Sequence, residues 1–234
     1  MTAAQLRRLA AAFAAAGTVL GAAACSSADD LAQGGGALSY DRVRSVALDA
    51  VKNRTDTCPF GLDLAKAAGA AGITGAVSPA EHDGRSVSGN AGDGVPPQPW
   101  PSGASHPASM PEQPAVPQNA DITCSYRVGS ATVEVELMAV PKNDYGISMM
   151  LARIGQAGRL GVDDLNRFFA DRPGIGQTRL TPGPGTAAVS RLAVNGEGDL
   201  IMMLSQDSGD PEQNPALAGE PLRKAAEALV KQLG

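Results

Sequence analysis

Apolar residues recur at Val43, Val46, Ala47, Ala50 and Val51, the i, i+3, i+4, i+7, i+8 spacing that lines one face of a helix, so a helix is predicted over 40–53. A second, alanine-rich helix is predicted over 62–71, with Gly69 and Gly72 weakening it. The stretch DITCSYRVGSATVEVELMAV then alternates. Gly129-Ser130 suits a two-residue hairpin turn with glycine first. Folding there sets Tyr126 opposite Val133, Cys124 opposite Val135 and Ile122 opposite Leu137, all on one face. Thr123, Ser125, Arg127, Glu134 and Glu136 take the other face, where the two glutamates are expected to stay in water.

Further on, Ile147, Met150, Leu151 and Ile154 predict a helix starting near Asn143 or Asp144. Val162, Leu165, Phe168 and Phe169 predict a shorter one, opened by Asp163 and Asp164 and stopped by Pro173-Gly174. Strands are predicted at 187–194 and 199–205 around Asn195-Gly196-Glu197-Gly198; both are apolar on both sides, so neither face is assigned inward. Leu222, Ala225, Ala226, Leu229, Val230 and Leu233 line a C-terminal helix with Pro221 in its first turn. The order α, α, β-hairpin, α, α, β-hairpin, α predicts one two-layer α+β domain over 39–234. Its simplest form is a four-stranded antiparallel sheet with helices on one face. The α-α-hairpin unit occurs twice, which suggests an internal duplication.

Two stretches fall outside this pattern. Residues 25–38 include SSADDLAQGGGAL, small, polar and glycine-rich, and are expected to be a flexible tether. Residues 78–120 are dense in proline, glycine and serine and carry almost no periodic hydrophobes. Such a segment buries too little apolar surface to offset its ordering entropy, so a disordered insertion is expected. A functional lid is the other reading, with Trp100 its best candidate residue, although a lone tryptophan in a proline-rich segment is more often a local packing anchor.

Ahead of the tether, Arg7 and Arg8 precede a run of small and apolar residues to Ala24, the layout of an export signal over 1–24. The run is too short and too alanine-rich to favour a retained span. Cys25 follows directly, and VLGAAAC resembles the signal of bacterial lipoproteins, in which the cysteine is diacylated and becomes the N-terminus. Ala22 stands where that signal prefers leucine, and Ala22-Ala23-Ala24 also suits ordinary cleavage. Cysteine parity separates the two. The chain has three cysteines, and if Cys58 pairs with Cys124, acylation of Cys25 leaves no free thiol in an exported protein. Bridging Cys58 to Cys124 closes a loop worth roughly 4 kcal/mol of chain entropy.

Charge narrows the partners. Removing residues 1–24 takes away Arg7 and Arg8 and no acid, so the net charge moves from −5 to −7. That balance disfavours nucleic acid and anionic lipid as partners. Arginine outnumbers lysine fourteen to five, and alanine, glycine and proline are abundant, a bias associated with high-GC actinobacterial coding.

With these features in place, DTCPFGLDLAKAAGAAG followed by CSYRVGSATVEVEL resembles the small actinobacterial cell-envelope lipoproteins of unknown function. In those, an Asp-Pro-Cys segment precedes a short helix and a Cys-x-aromatic opens a hairpin. The matching residues are Asp56, Cys58, Cys124 and Tyr126; Thr57 replaces the proline, Tyr126 the usual tryptophan, and a long insertion separates the cysteines. The resemblance implies an exported, disulfide-bonded domain and no particular activity.

Candidate chemistry is sparse. His82 and His106 both lie in the proline-rich segment, without the rigid shell that catalysis or a metal demands. No H-E-x-x-H, G-x-S-x-G or S-x-x-K occurs. Gly183-Pro184-Gly185 reads as a turn, and Asp207, Asp210 and Glu212 as a solvated loop rather than a calcium site. Met138, Met149, Met150, Met202 and Met203 come from three elements and suit either core filling or an adaptable apolar surface. The expectation is therefore a non-enzymatic lipoprotein without cofactor. It is held by its lipid on the extracytoplasmic face of the cell membrane and binds a protein or cell-wall partner. The alternative is a carrier or sensor of an apolar small molecule in a methionine-lined cavity; a third reading is a hydrolase with an unfamiliar acid pair.

Overall fold

The computed structural model describes residues 37–81, 84–207 and 214–234 and has an α+β fold. Its helices are α1 (Tyr40–Asn53), α2 (Leu64–Ala70), α3 (Gly146–Ala157), α4 (Val162–Ala170) and α5 (Glu220–Val230). Its strands are β1 (Val77–Pro79), β2 (Val87–Gly92), β3 (Gln98–Pro99), β4 (Glu112–Gln113), β5 (Asn119–Val128), β6 (Ala131–Val140), β7 (Thr178–Leu180), β8 (Ala187–Leu192) and β9 (Asp199–Gln206). Cys25, the signal, most of the tether, His82, Asp210 and Glu212 lie outside the described residues.

The β5–β6 hairpin forms in the register that alternation predicts, Ile122 with Leu137, Cys124 with Val135, Tyr126 with Val133. Gly129 turns the chain at φ 65°, which costs glycine no Cβ clash. From this hairpin the sheet grows both ways. β6 pairs β9, β9 pairs β8 and β8 pairs β7, while the far side of β5 carries β1 and β2 end to end. The sheet thus has seven strands, where four were expected. The added strands β1 and β7 are three residues long and β2 is six with two glycines, too short or too irregular for alternation to mark them.

Helices cover both faces of the sheet, not one. α1, α2 and α5 pack on the face that carries Ile122, Cys124, Val135, Leu137, Met202 and Leu204. α3 and α4 pack on the opposite face, over Met138, Val140, Val189, Ile201 and Met203. This explains why β8 and β9 read as apolar on both sides: every residue of β9 is buried. A fully buried aliphatic side chain contributes roughly 1.5–3 kcal/mol over an exposed one, so both layers are strongly held. The two α-α-hairpin units are not related by rotation. A two-fold axis that exchanged the antiparallel neighbours β6 and β9 would leave each face on itself, yet α1 and α2 lie on one face and α3 and α4 on the other.

Residues 78–120 also differ from the disordered insertion expected, since they carry strands. Beyond β2 the chain makes an arm: Val95 and Val116 exchange two backbone hydrogen bonds of 2.8 Å, and β3 pairs β4. At its tip the Trp100 ring stacks on His106 with centroids 5.5 Å apart, and Trp100 Nε1 donates to the Met110 carbonyl at 2.9 Å. Backbone pairing and this stack hold the arm, while Val95, Met110 and Val116 stay exposed; hydrophobic periodicity is blind to that kind of order. The tether also ends earlier than expected. Leu38 is buried, and its carbonyl accepts from Asn195 N–H at 2.7 Å.

Candidate functional site

Cys58 and Cys124 are joined by a disulfide with Cα atoms 5.7 Å apart. It ties the approach to α2 to the inner face of β5. After Cys58 the chain makes one tight turn at Pro59–Gly61, where Phe60 takes φ 62° and packs beneath the Arg42 guanidinium, 5.3 Å from the ring centre. Asp63 then caps α2, its carboxylate accepting from Lys66 N–H at 2.9 Å. From the far end of the chain Gln232 clamps Asp63, accepting from its N–H at 2.7 Å and donating to its carbonyl at 3.1 Å. Ser86 Oγ donates to the Asp56 carbonyl at 3.0 Å, which fixes the chain ahead of the bridge against the gap between β1 and β2.

These restraints leave a cavity of about 410 Å³ between the disulfide, the start of α2 and the outer strands. Cys58, Leu62, Leu64, Val77, Pro79, Val87, Cys124 and Tyr126 make it mainly apolar; Thr57, Ser78, Ser86 and Ser125 add hydroxyls. Among the described residues, Asp56 and Asp63 are the only charged side chains in its lining, and both are exposed. Burial pushes the Tyr126 phenol up to about 12, and the Asp63 carboxylate acts in the same direction. All four residues that carry the lipoprotein resemblance, Asp56, Cys58, Cys124 and Tyr126, meet in this one cavity. Leu64, Val77 and Val87, which complete it, were not singled out by the sequence; no local pattern distinguishes them from core residues.

A second cavity, about 370 Å³ and mostly polar, lies on the other face of the sheet beside α3. Here Glu136 departs from the water-facing role expected of it. It is only 5 % exposed and ion-pairs with Arg153, while Arg153 Nη1 stands 3.8 Å from Asp121 Oδ1. Glu134 and Asp207 share this lining. Two carboxylates thus converge on one guanidinium that α3 lowers onto the sheet.

The methionines divide between the two cores. Met202 fills the core under α1, α2 and α5, and Met138, Met150 and Met203 fill the one under α3 and α4. Met203 also reaches the polar cavity, so methionine does not dominate either lining. Asp163 sits in the first turn of α4, and Asp164 ion-pairs with Arg167. Among the described residues, no three histidines, cysteines or carboxylates are placed to hold a metal ion, and no helix is long and apolar enough to cross a membrane. Compared with known proteins, the chain matches no family model, no curated protein and no solved structure.

Proposed function

We propose that this chain is a lipid-anchored protein of the extracytoplasmic membrane face, diacylated at Cys25, whose disulfide-lined groove binds a partner in the cell envelope. The observation that carries the reading is the coincidence of the resemblance residues with an open, mainly apolar cavity. A groove of this size falls in the range of about 300–1,000 Å³ that ligand sites occupy. Its walls are fixed by a covalent bridge and by the Gln232 clamp, so binding costs little ordering of the protein. The role is non-enzymatic, and residues 39–234 act as one domain presented by the tether.

The test has two parts. The N-terminal peptide of the mature protein is weighed with and without inhibition of lipoprotein processing, and an unmodified Cys25 overturns the anchor. A photoreactive residue in place of Ala65, on the groove wall, is then irradiated in intact cells beside one in place of Lys231, the residue that follows α5. A discrete adduct at position 65 alone supports the groove; equal labelling at both positions removes it.

A second reading, a carrier of a free apolar molecule, draws on the same apolar lining. Mass spectrometry of the protein released under native conditions distinguishes the two, because a carrier retains its cargo without a protein adduct.

A further inference from the structure

From the strand beside the groove and the charges at its mouth, we infer that the occupant is an extended polypeptide segment with basic residues flanking an apolar one. The inference rests on the groove being the binding site. Its first support is the edge of β1. Gly129 N–H donates to the Ala76 carbonyl and Ala80 N–H to the Ser125 carbonyl, so Ala76, Ser78 and Ala80 spend their backbone groups on β5. Val77 therefore turns its N–H and C=O away from the sheet, and Pro79 turns its C=O the same way. None of these groups has a backbone hydrogen-bond partner among the described residues. The proline at 79 removes no donor from the β5 ladder, since its nitrogen already points outward.

Val77, Ser78 and Pro79 also line the cavity. A strand laid along β1 would exchange hydrogen bonds with Val77 and alternate its side chains across the sheet, so that those on the covered face meet the cavity. Backbone recognition of this sort belongs to a polypeptide and not to a small amphiphile. The interrupted edge fits the same role: β1 ends at Pro79 and β2 begins only at Val87, which leaves β1 as a short docking step instead of a long adhesive edge.

The second support is electrostatic. Asp56 and Asp63 stand at the mouth, and no lysine or arginine is among the described residues of the lining. One oxygen of Asp63 is engaged with the α2 cap; the rest of this carboxylate charge faces solvent. Basic residues on either side of the inserted apolar side chain complement it, and acidic ones are repelled.

The probe is a fluorescein-labelled, end-capped pentapeptide with a central leucine between two valines and a lysine at each end. It is compared with versions carrying glutamine or glutamate ends, using the full processed chain in phosphatidylcholine nanodiscs and empty nanodiscs as blank. The lysine peptide is expected to bind about tenfold tighter than the glutamate peptide, the difference that two exposed charge pairs supply on changing sign. Asp56→Asn with Asp63→Asn reduces that preference to within about twofold while the asparagine still caps α2. N-methylation of the central leucine abolishes binding, as does Ala65→Trp. Equal binding of all three peptides overturns the basic chemistry but leaves the groove. Tolerance of N-methylation, or octylammonium binding as tightly as the peptide, overturns the extended strand. Binding that survives Ala65→Trp, or no peptide binding at all, removes the groove itself.

Discussion

Gly89 of β2 runs so close beneath α1 that a Cβ added to it would stand 2.4 Å from the carbonyl oxygen of Ala47. The obstructing atom is helix backbone and cannot swing aside. Gly89→Ala must therefore lift α1 from the sheet edge, and a cost of about 2–3 kcal/mol is expected. Urea denaturation measures it. A loss below about 0.5 kcal/mol would mean that α1 does not lie this near.

The bridge between Cys58 and Cys124 spans 66 positions of sequence and closes around the whole proline-rich arm. Replacing both cysteines by alanine should lower stability by about 4 kcal/mol on the chain-entropy account. Because that is a large share of a domain's net stability, the variant should unfold well below the parent on heating. Unchanged melting would indicate that the denatured chain is already compact around the arm.

Asp199 joins three elements. Its Oδ1 accepts from Arg191 Nε at 2.7 Å and its Oδ2 from Gly146 N–H, the first residue of α3, at 2.9 Å. Arg191 also donates to Asp144 at 2.5 Å. Asp199→Ala leaves a mostly buried guanidinium short of its nearest anion and should cost about 3–5 kcal/mol. Asp199→Asn keeps one acceptor and should cost less. Chemical denaturation of both variants tests the order, and equal losses would refute it.

The Tyr126 phenol gives a pH signature. Burial raises its pKa to about 12 in the folded chain, above the usual 10, so the neutral form is favoured by folding. Its contribution is complete below pH 10 and disappears as pH rises through 12. Denaturation at pH 8 and pH 11 should therefore show a smaller alkaline loss for Tyr126→Phe than for the parent. Phenolate absorbance should also show one tyrosine fewer titrating near pH 12. Identical alkaline losses would place Tyr126 in water.

Trp100 is expected to govern the arm and nothing beyond it. Trp100→Ala removes the stack on His106 and the bond to Met110. Hydrogen exchange should quicken at residues 98–113 and stay unchanged in β5, β6 and β9. Faster exchange throughout would show that the arm supports the core.

The sequence was most legible where a pattern repeats at one local period. The β5–β6 register followed from alternation and a glycine turn, and α1 from its i, i+3, i+4 spacing, because both depend on neighbours in the chain. Of the candidate groove, Asp56, Cys58, Cys124 and Tyr126 were legible as a motif. Val77, Val87 and Leu64 were not, since three separate elements bring them together and none carries a local mark.

Thiol count and charge balance are properties of composition and are read from the chain alone, and the proposed export signal is a reading of residue order. Which side of β8 and β9 faces a core had no answer in one dimension, for both sides are apolar. The tertiary structure answers it by covering both faces with helices. It also turns Glu136 from a water-facing residue into a buried partner of Arg153, because α3 brings a guanidinium down onto the sheet. The physical reason is common to these cases: burial is decided by what arrives from elsewhere in the chain, and local sequence encodes only the surface offered to it.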